Sequence, residues 1–170
     1  MKIIAMDLGT NTGVAIGNAS GSPVCHTERL GEPGDKHGPR FTQALRMTRR
    51  LIELHSPDYI VIETPIATGV VGSIDRVRLA MGLRACVFGI AHMNNVRVRE
   101  YPVQTVRKHF LGKGNMKRGV AKAAAIATCK QLGWIVANDD EADACAVWDC
   151  ARGQLRLAHA LPANGLFHGN

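Results

Sequence analysis

Asp7, Glu63, Asp140 and Asp143 are the residues whose types and spacing suggest chemistry. Asp7 closes the apolar run Ile3-Ile4-Ala5-Met6, Glu63 closes Tyr59-Ile60-Val61-Ile62, and Asp140 and Asp143 lie together in an alanine-rich segment near the C-terminus. A carboxylate beside a core is costly unless something pairs with it. Separate segments that each deliver one therefore point to a shared cation site. Oxygen donors of this kind suit hard Mg²⁺ or Mn²⁺ better than zinc.

The surrounding residues say how such acids would be held. A short continuous apolar run such as Ile3–Met6 is the pattern of a strand buried on both faces, and Val14-Ala15-Ile16 reads as its partner across a tight turn. Gly9 and Gly13 bracket that turn with Asn11 at its tip, types that accept positive φ at little cost. Asp58–Glu63 repeats the design, starting after Pro57 and stopping at Pro65, which cannot donate to a sheet ladder. In an open α/β sheet, ligands gather beyond the carboxyl ends of parallel strands, so two acids at two such ends would meet one ligand. For the third segment, Asn138 or Asp139 is a fitting N-cap, acids suit the first turn, and Ala142, Ala144, Cys145 and Ala146 would let a helix approach the sheet closely. Asp140 and Asp143 share one helix face, as do Asp139 and Asp143, so either Asp139 or Asp140 serves as the auxiliary acid.

The rest of the chain supplies cover for the sheet and a basic surface. Residues 31–39 read as a loop, followed by an amphipathic helix burying Phe41, Ala44, Leu45, Thr48, Leu51 and Ile52, with Arg46, Arg49 and Arg50 outside. After a second loop from Thr64 to Gly72, Ser73 could cap a helix reaching about His92. Its Val77, Ala80, Met81, Leu83, Val87, Phe88 and Ile90 cover more than one face, so it needs two neighbours. Met116 to Leu132 forms another helix, ended by Gly133. Beyond Arg152 the pattern loses its period. The sequence thus divides into one α/β domain over residues 1–152 and a partly disordered tail over 153–170.

The chain has 170 residues, 46% of them hydrophobic, enough for one α/β core and too few for two ordinary ones. Its net charge is +7. Arg107, Lys108, Lys113, Lys117 and Arg118 concentrate cations around Gly112 and Gly114 and the start of a helix, a ready phosphate cradle. A basic chain whose acids are gathered in motifs suits an anionic polymer held against metal ions, and no basic amphipathic helix with bulky aromatic anchors speaks for a membrane partner. The five scattered cysteines read as reduced thiols of a cytoplasmic protein, without zinc-ligand spacing.

The strand-end Asp in an Asp-x-Gly-x-x-x-Gly hairpin (Asp7 to Gly13), the strand-end Glu63 and the C-terminal Asp140-x-x-Asp143-Ala144 helix, in that order, resemble the RuvC-type Holliday junction resolvases of the ribonuclease H-like superfamily. Tyr101 to Arg118 resembles the segment in which a strand leads to a short helix, a glycine-rich turn and a basic helix start. The resemblance covers about residues 1 to 152. It implies a mixed central sheet of about five strands flanked by helices, a homodimer, and cleavage of branched DNA by paired nicks with water as nucleophile. It also implies two Mg²⁺ ions about 3.5–4 Å apart, with Mn²⁺ able to substitute. Asp7 would bridge the ions, Glu63 and Asp143 would complete their coordination, and Asp140 would sit at the edge.

The loop after the strand glutamate departs from that pattern. Bacterial resolvases present an aromatic residue there, whereas this chain has Thr64, Pro65, Ile66, Ala67 and Thr68, with Ile66 as its apolar wedge. A phage-type relative that cuts branched DNA more broadly, or a structure-selective nuclease, fits at least as well. A ribonuclease of RNA/DNA hybrids would use the same carboxylates. Asp7-Leu8-Gly9-Thr10 also resembles the phosphate-binding hairpin of actin-like ATPases, but these need two such domains and a second hairpin. A non-catalytic junction-binding module would not need the acids intact.

Overall fold

The computed structural model describes residues 1–64 and 74–160. In chain order its elements are strands β1 (Lys2–Asp7), β2 (Asn11–Asn18) and β3 (Val24–Arg29), helix α1 (His37–His55), strand β4 (Tyr59–Thr64), helix α2 (Ile74–Met93), strand β5 (Arg97–Pro102), and helices α3 (Val103–Leu111), α4 (Arg118–Gln131) and α5 (Asp139–Ala160). The strands form one mixed five-stranded sheet in the order β3-β2-β1-β4-β5. β1 pairs parallel with β4, and β4 with β5, while β2 and β3 add antiparallel to the other side. The mixed α/β architecture expected from the sequence is present.

The two-residue period of the strands decides what faces what. Ile4, Met6, Val14, Ile60 and Ile62 pack with Ala44, Met47 and Leu51 of α1 and Leu83, Val87 and Ala91 of α2. The alternate residues Ile3, Ala5, Ala15, Tyr59 and Val61 pack with Val106 and Phe110 of α3, Ala125 and Cys129 of α4, and the small-residue stripe of α5. Because β1 and β4 are covered on both faces, Ile3 to Met6 and Tyr59 to Ile62 are buried without interruption.

Several boundaries differ from the sequence reading for identifiable reasons. β3 carries little apolar signal because it is an edge strand, with Val24 exposed. α1 begins at His37 inside the expected loop, because Pro39 falls in the first turn, where a missing N–H leaves no helical bond unmade. In that helix Met47 is buried and Leu45 faces solvent. Neither Gly9 nor Gly13 has positive φ, and Asn11 opens β2 rather than tipping the turn. The turn is held instead by Thr12, whose Oγ1 accepts from the Gly9 N–H and donates to the Gly9 carbonyl. α5 runs past Arg152 to Ala160, because Leu155 continues the buried stripe of Ala151 one turn further on. Ser73, Ile66 and the loop around it, and residues 161–170 lie outside the described residues.

The end of α4 follows its sequence signal. Gly133 adopts φ 74°, the Gly133 N–H donates to the Lys130 carbonyl, and the Trp134 N–H donates to the Cys129 carbonyl, a Schellman closure. Among the described residues no helix is long and apolar enough to cross a membrane.

Candidate functional site

The sheet register brings the two strand-end acids together. β1 and β4 pair in parallel up to Met6 opposite Ile62, so Asp7 and Glu63 are the next residues along neighbouring strands. Parallel neighbours lie about 4.8 Å apart. By alternation both carboxylates belong to the face covered by α3, α4 and α5, the side of Ala5 and Val61.

α5 reaches that point because Gly13 lets it. Gly13 pairs with Asp7 across the β1–β2 ladder, and a Cβ built on it would overlap the backbone carbonyl of Asp140. The first turn of α5 is further clamped to the edge of the sheet. Asn138 Oδ1 accepts from the Glu141 N–H at 2.9 Å, and Glu141 Oε2 accepts from the Ala137 N–H at 2.7 Å, a variant of the capping box. Thr27 of β3 donates to Glu141 Oε1 at 3.1 Å and accepts from Asn138 Nδ2 at 2.9 Å. Asn138 is therefore the N-cap. Asp143 follows one turn beyond Asp140 and, with Glu63, Val106, Arg107, Ala121 and Ala146, lines a recess between α3, α4 and α5.

Burial and mutual repulsion act on these acids together. Burial, then the charges of Asp143 and Asp140, push the Asp7 carboxyl up to about 7, against the opposing pull of Lys122 and Arg118. Burial, then Asp7 and Asp143, push Glu63 up to about 8, with Arg107 opposing. Asp140 and Asp143 are also raised, chiefly by burial. Like charges in a dry recess cannot all ionise without a counter-charge. Asp139 behaves oppositely: a hydrogen bond from Lys122 Nζ holds it below the ordinary carboxylate range. The oxygen donors open to a hard cation are thus Asp7, Glu63, Asp140 and Asp143. As they stand, no group of three or more His, Cys, Asp or Glu among the described residues closes into a cage that could hold an ion.

The basic residues divide. Arg107 is partly buried, turned into the recess, and donates to the Met116 carbonyl at 3.4 Å. Lys108, Lys113, Lys117 and Arg118 are exposed. Gly112 ends α3 in the left-handed region at φ 73°, and Gly114 lies against the Gln104 carbonyl, where a Cβ would approach to 2.8 Å. Sequence reasoning missed Lys122, Glu141 and Thr27. Lys122 stands four residues after Arg118 on a helix, a spacing that places both on one face. Glu141 stands three after an Asn, the capping-box spacing. Thr27 gives no signal outside the folded edge.

Solved structures share this architecture over nearly the whole chain. Thermus thermophilus RuvC is 17% identical, with a TM-score of 0.69 over 93% of this chain and 97% of its own. Thermus thermophilus RuvC in complex with a Holliday junction substrate is 16% identical, with a TM-score of 0.73 over 93% and 96%. The fold is the RuvC fold. The yeast mitochondrial Holliday junction resolvase Ydc2 shares it at 15% identity, with a TM-score of 0.61 over 93% of this chain and 80% of its own. At these identities the RuvC likeness rests on the path of the backbone, since neither a protein-family model nor a curated protein matches the sequence.

Proposed function

We propose that the protein is a divalent-metal-dependent endonuclease of branched DNA that resolves four-way junctions by paired nicks, with water as nucleophile. The observation that carries this reading is the convergence of Asp7 and Glu63, at adjacent parallel strand ends, with the α5 turn bearing Asp140 and Asp143. The fold it shares with RuvC, a protein solved on a Holliday junction substrate, supports the choice of substrate.

The chemistry of the donor set fits Mg²⁺ or Mn²⁺: four hard carboxylates whose charges oppose one another have more to gain from a divalent cation than from staying bare. Asp7, Glu63 and Asp143 would hold the metal, with Asp140 at the margin. When bound it would supply a water ionised at neutral pH and offset charge on the leaving oxygen. Arg107, which lines the recess with Glu63 and Asp143, would meet the scissile phosphate. Lys108, Lys113, Lys117 and Arg118 would hold flanking phosphates and set the register of the DNA without reading its sequence. Exposed Ile74, Val77 and Met81 on α2 offer an apolar face for a second copy, and a two-fold pair of sites would nick two strands symmetrically.

The test is cleavage of a synthetic four-way junction in Mg²⁺, beside a linear duplex and an RNA/DNA hybrid, with the products mapped to single nucleotides. Paired symmetric nicks in the junction are expected. Scattered cuts in all DNA substrates would point to a general nuclease, and preference for the hybrid to a ribonuclease. Neutralising Lys117 and Arg118 together should lower the salt slope of junction binding by about two.

A further inference from the structure

α4 and α5 meet through small side chains, Ala121, Ala125 and Cys129 against Ala142, Cys145 and Ala146, and at the top of that seam a lysine projects from α4 toward the acids. Lys122 Nζ is bonded to Asp139 of α5, with 27% of one side chain and 38% of the other exposed. Its reach is wider than that pair. The Lys122 charge also acts on Asp7, Asp140 and Asp143, the three aspartates of the site, whereas Arg107 serves Glu63 and Asp143. Arg118 adds to it at Asp7, Asp139 and Asp140.

We propose that Lys122 is a positioning residue that stands in for the divalent cation in the metal-free protein: it keeps Asp139 out of the site, partly neutralises Asp7, Asp140 and Asp143, and thereby competes with the metal and sets its affinity. The inference rests on the proposed metal site and deepens it. An ammonium on a four-carbon stem suits the role, because it is a compact point charge that can swing aside, where a guanidinium would hold its carboxylate in a rigid fork. The Lys122–Asp139 bond also explains which of two adjacent aspartates belongs to the site. Asp139 is already paired, and Asp140 is the one whose backbone lies on Gly13 beside Asp7.

This role separates from that of a mere tether between helices. A tether loses its function when either end is removed, so Lys122→Met and Asp139→Asn would then disturb the site alike. A competing charge predicts opposite signs. Lys122→Met removes a repulsive charge and frees Asp139, so the metal binds tighter, whereas Asp139→Asn removes an acid and releases Lys122 toward the others, so the metal binds more weakly.

The experiment is Mn²⁺ binding to the full chain without DNA, followed by calorimetry and by the loss of the free-ion EPR signal. Lys122→Met should tighten binding by on the order of tenfold, Asp139→Asn should weaken it, and Lys122→Arg, which keeps the charge but cannot swing aside, should weaken it as well. The metal-free melting temperature of Lys122→Met should fall and recover on adding Mn²⁺. Unchanged affinity in Lys122→Met, or shifts of the same sign in both variants, would overturn the inference while leaving the metal site standing. Absence of Mn²⁺ binding by the wild type would bring down both. Should Lys122→Met fail to fold, Lys122→Gln carries the same expectation.

Discussion

The two faces of the sheet are built from the same strands and solve different problems. Toward α1 and α2, large residues meet large residues, Ile4, Met6, Ile60 and Ile62 against Met47, Leu51, Leu83 and Val87. Around the first turns of α5 the partners are small: Ala5 and Ala15 lie among Ala142, Ala144, Cys145 and Ala146, and the bulky Trp148 comes only further along the helix, against Gly17. Bulky packing fills the first face and keeps its helices at arm's length. Small packing brings the second helix close enough that its first turn stands over Gly13 and Asp7. The first face is filled mostly by large side chains, whereas the second gives up side-chain volume at the end where the acids stand.

Substitutions can break this contrast directly. The largest effect is expected at the acids: Asp7→Asn should lower junction cleavage by far more than the roughly 100-fold that losing an outer-shell partner costs. Junction affinity, measured by gel shift in Ca²⁺, should be kept or rise. Cleavage and binding lost in parallel would make Asp7 structural.

Next come two glycines that face helices. At Gly13 an added Cβ meets backbone that cannot move aside, so Gly13→Ala should abolish detectable cleavage and destabilise by about 3 kcal/mol or more. At Gly82 of α2 the obstruction is the ring of Phe41, a side chain that can turn, so Gly82→Ala should cost about 1–2 kcal/mol and leave cleavage intact. Equal loss of activity in both would refute the division between the faces. On the apolar face, Leu51→Ala should cost about 2–4 kcal/mol in denaturant unfolding, with cleavage per folded molecule unchanged.

A smaller effect sharpens the comparison through pH. Asp7 and Glu63 keep their protons in the folded chain up to about 7 and about 8, while the unfolded chain releases them in the ordinary carboxylate range. Stability tied to them is complete below that range and is lost as pH rises through 7 to 8. The melting temperature of the metal-free wild type should therefore fall between pH 5 and pH 8.5 relative to Asp7→Asn, and Mg²⁺ should restore it at the upper end. Parallel curves for the two proteins would remove the proposed strain among the acids.

The sequence made the acid-bearing strands legible because each is a continuous apolar run with a carboxylate at its end, and alternation then carries both acids to one face. The start of α5 was legible from Asn138, and the end of α4 from Gly133. β3 was not, because an edge strand needs little apolar content. The role of Gly13 was not, because it depends on a helix more than a hundred residues later; spacing suggested a turn, and the fold uses the absent side chain instead. Lys122 escaped because an Ala-rich helix says little about which of its cations turns inward.

The latch between Thr27 and Glu141 ties the start of α5 to the outermost strand. Outer strands open before the middle of a sheet does. When β3 lets go, Glu141 loses a partner and the turn carrying Asp140 loses an anchor, so the rim of this molecule acts as a tension on its centre.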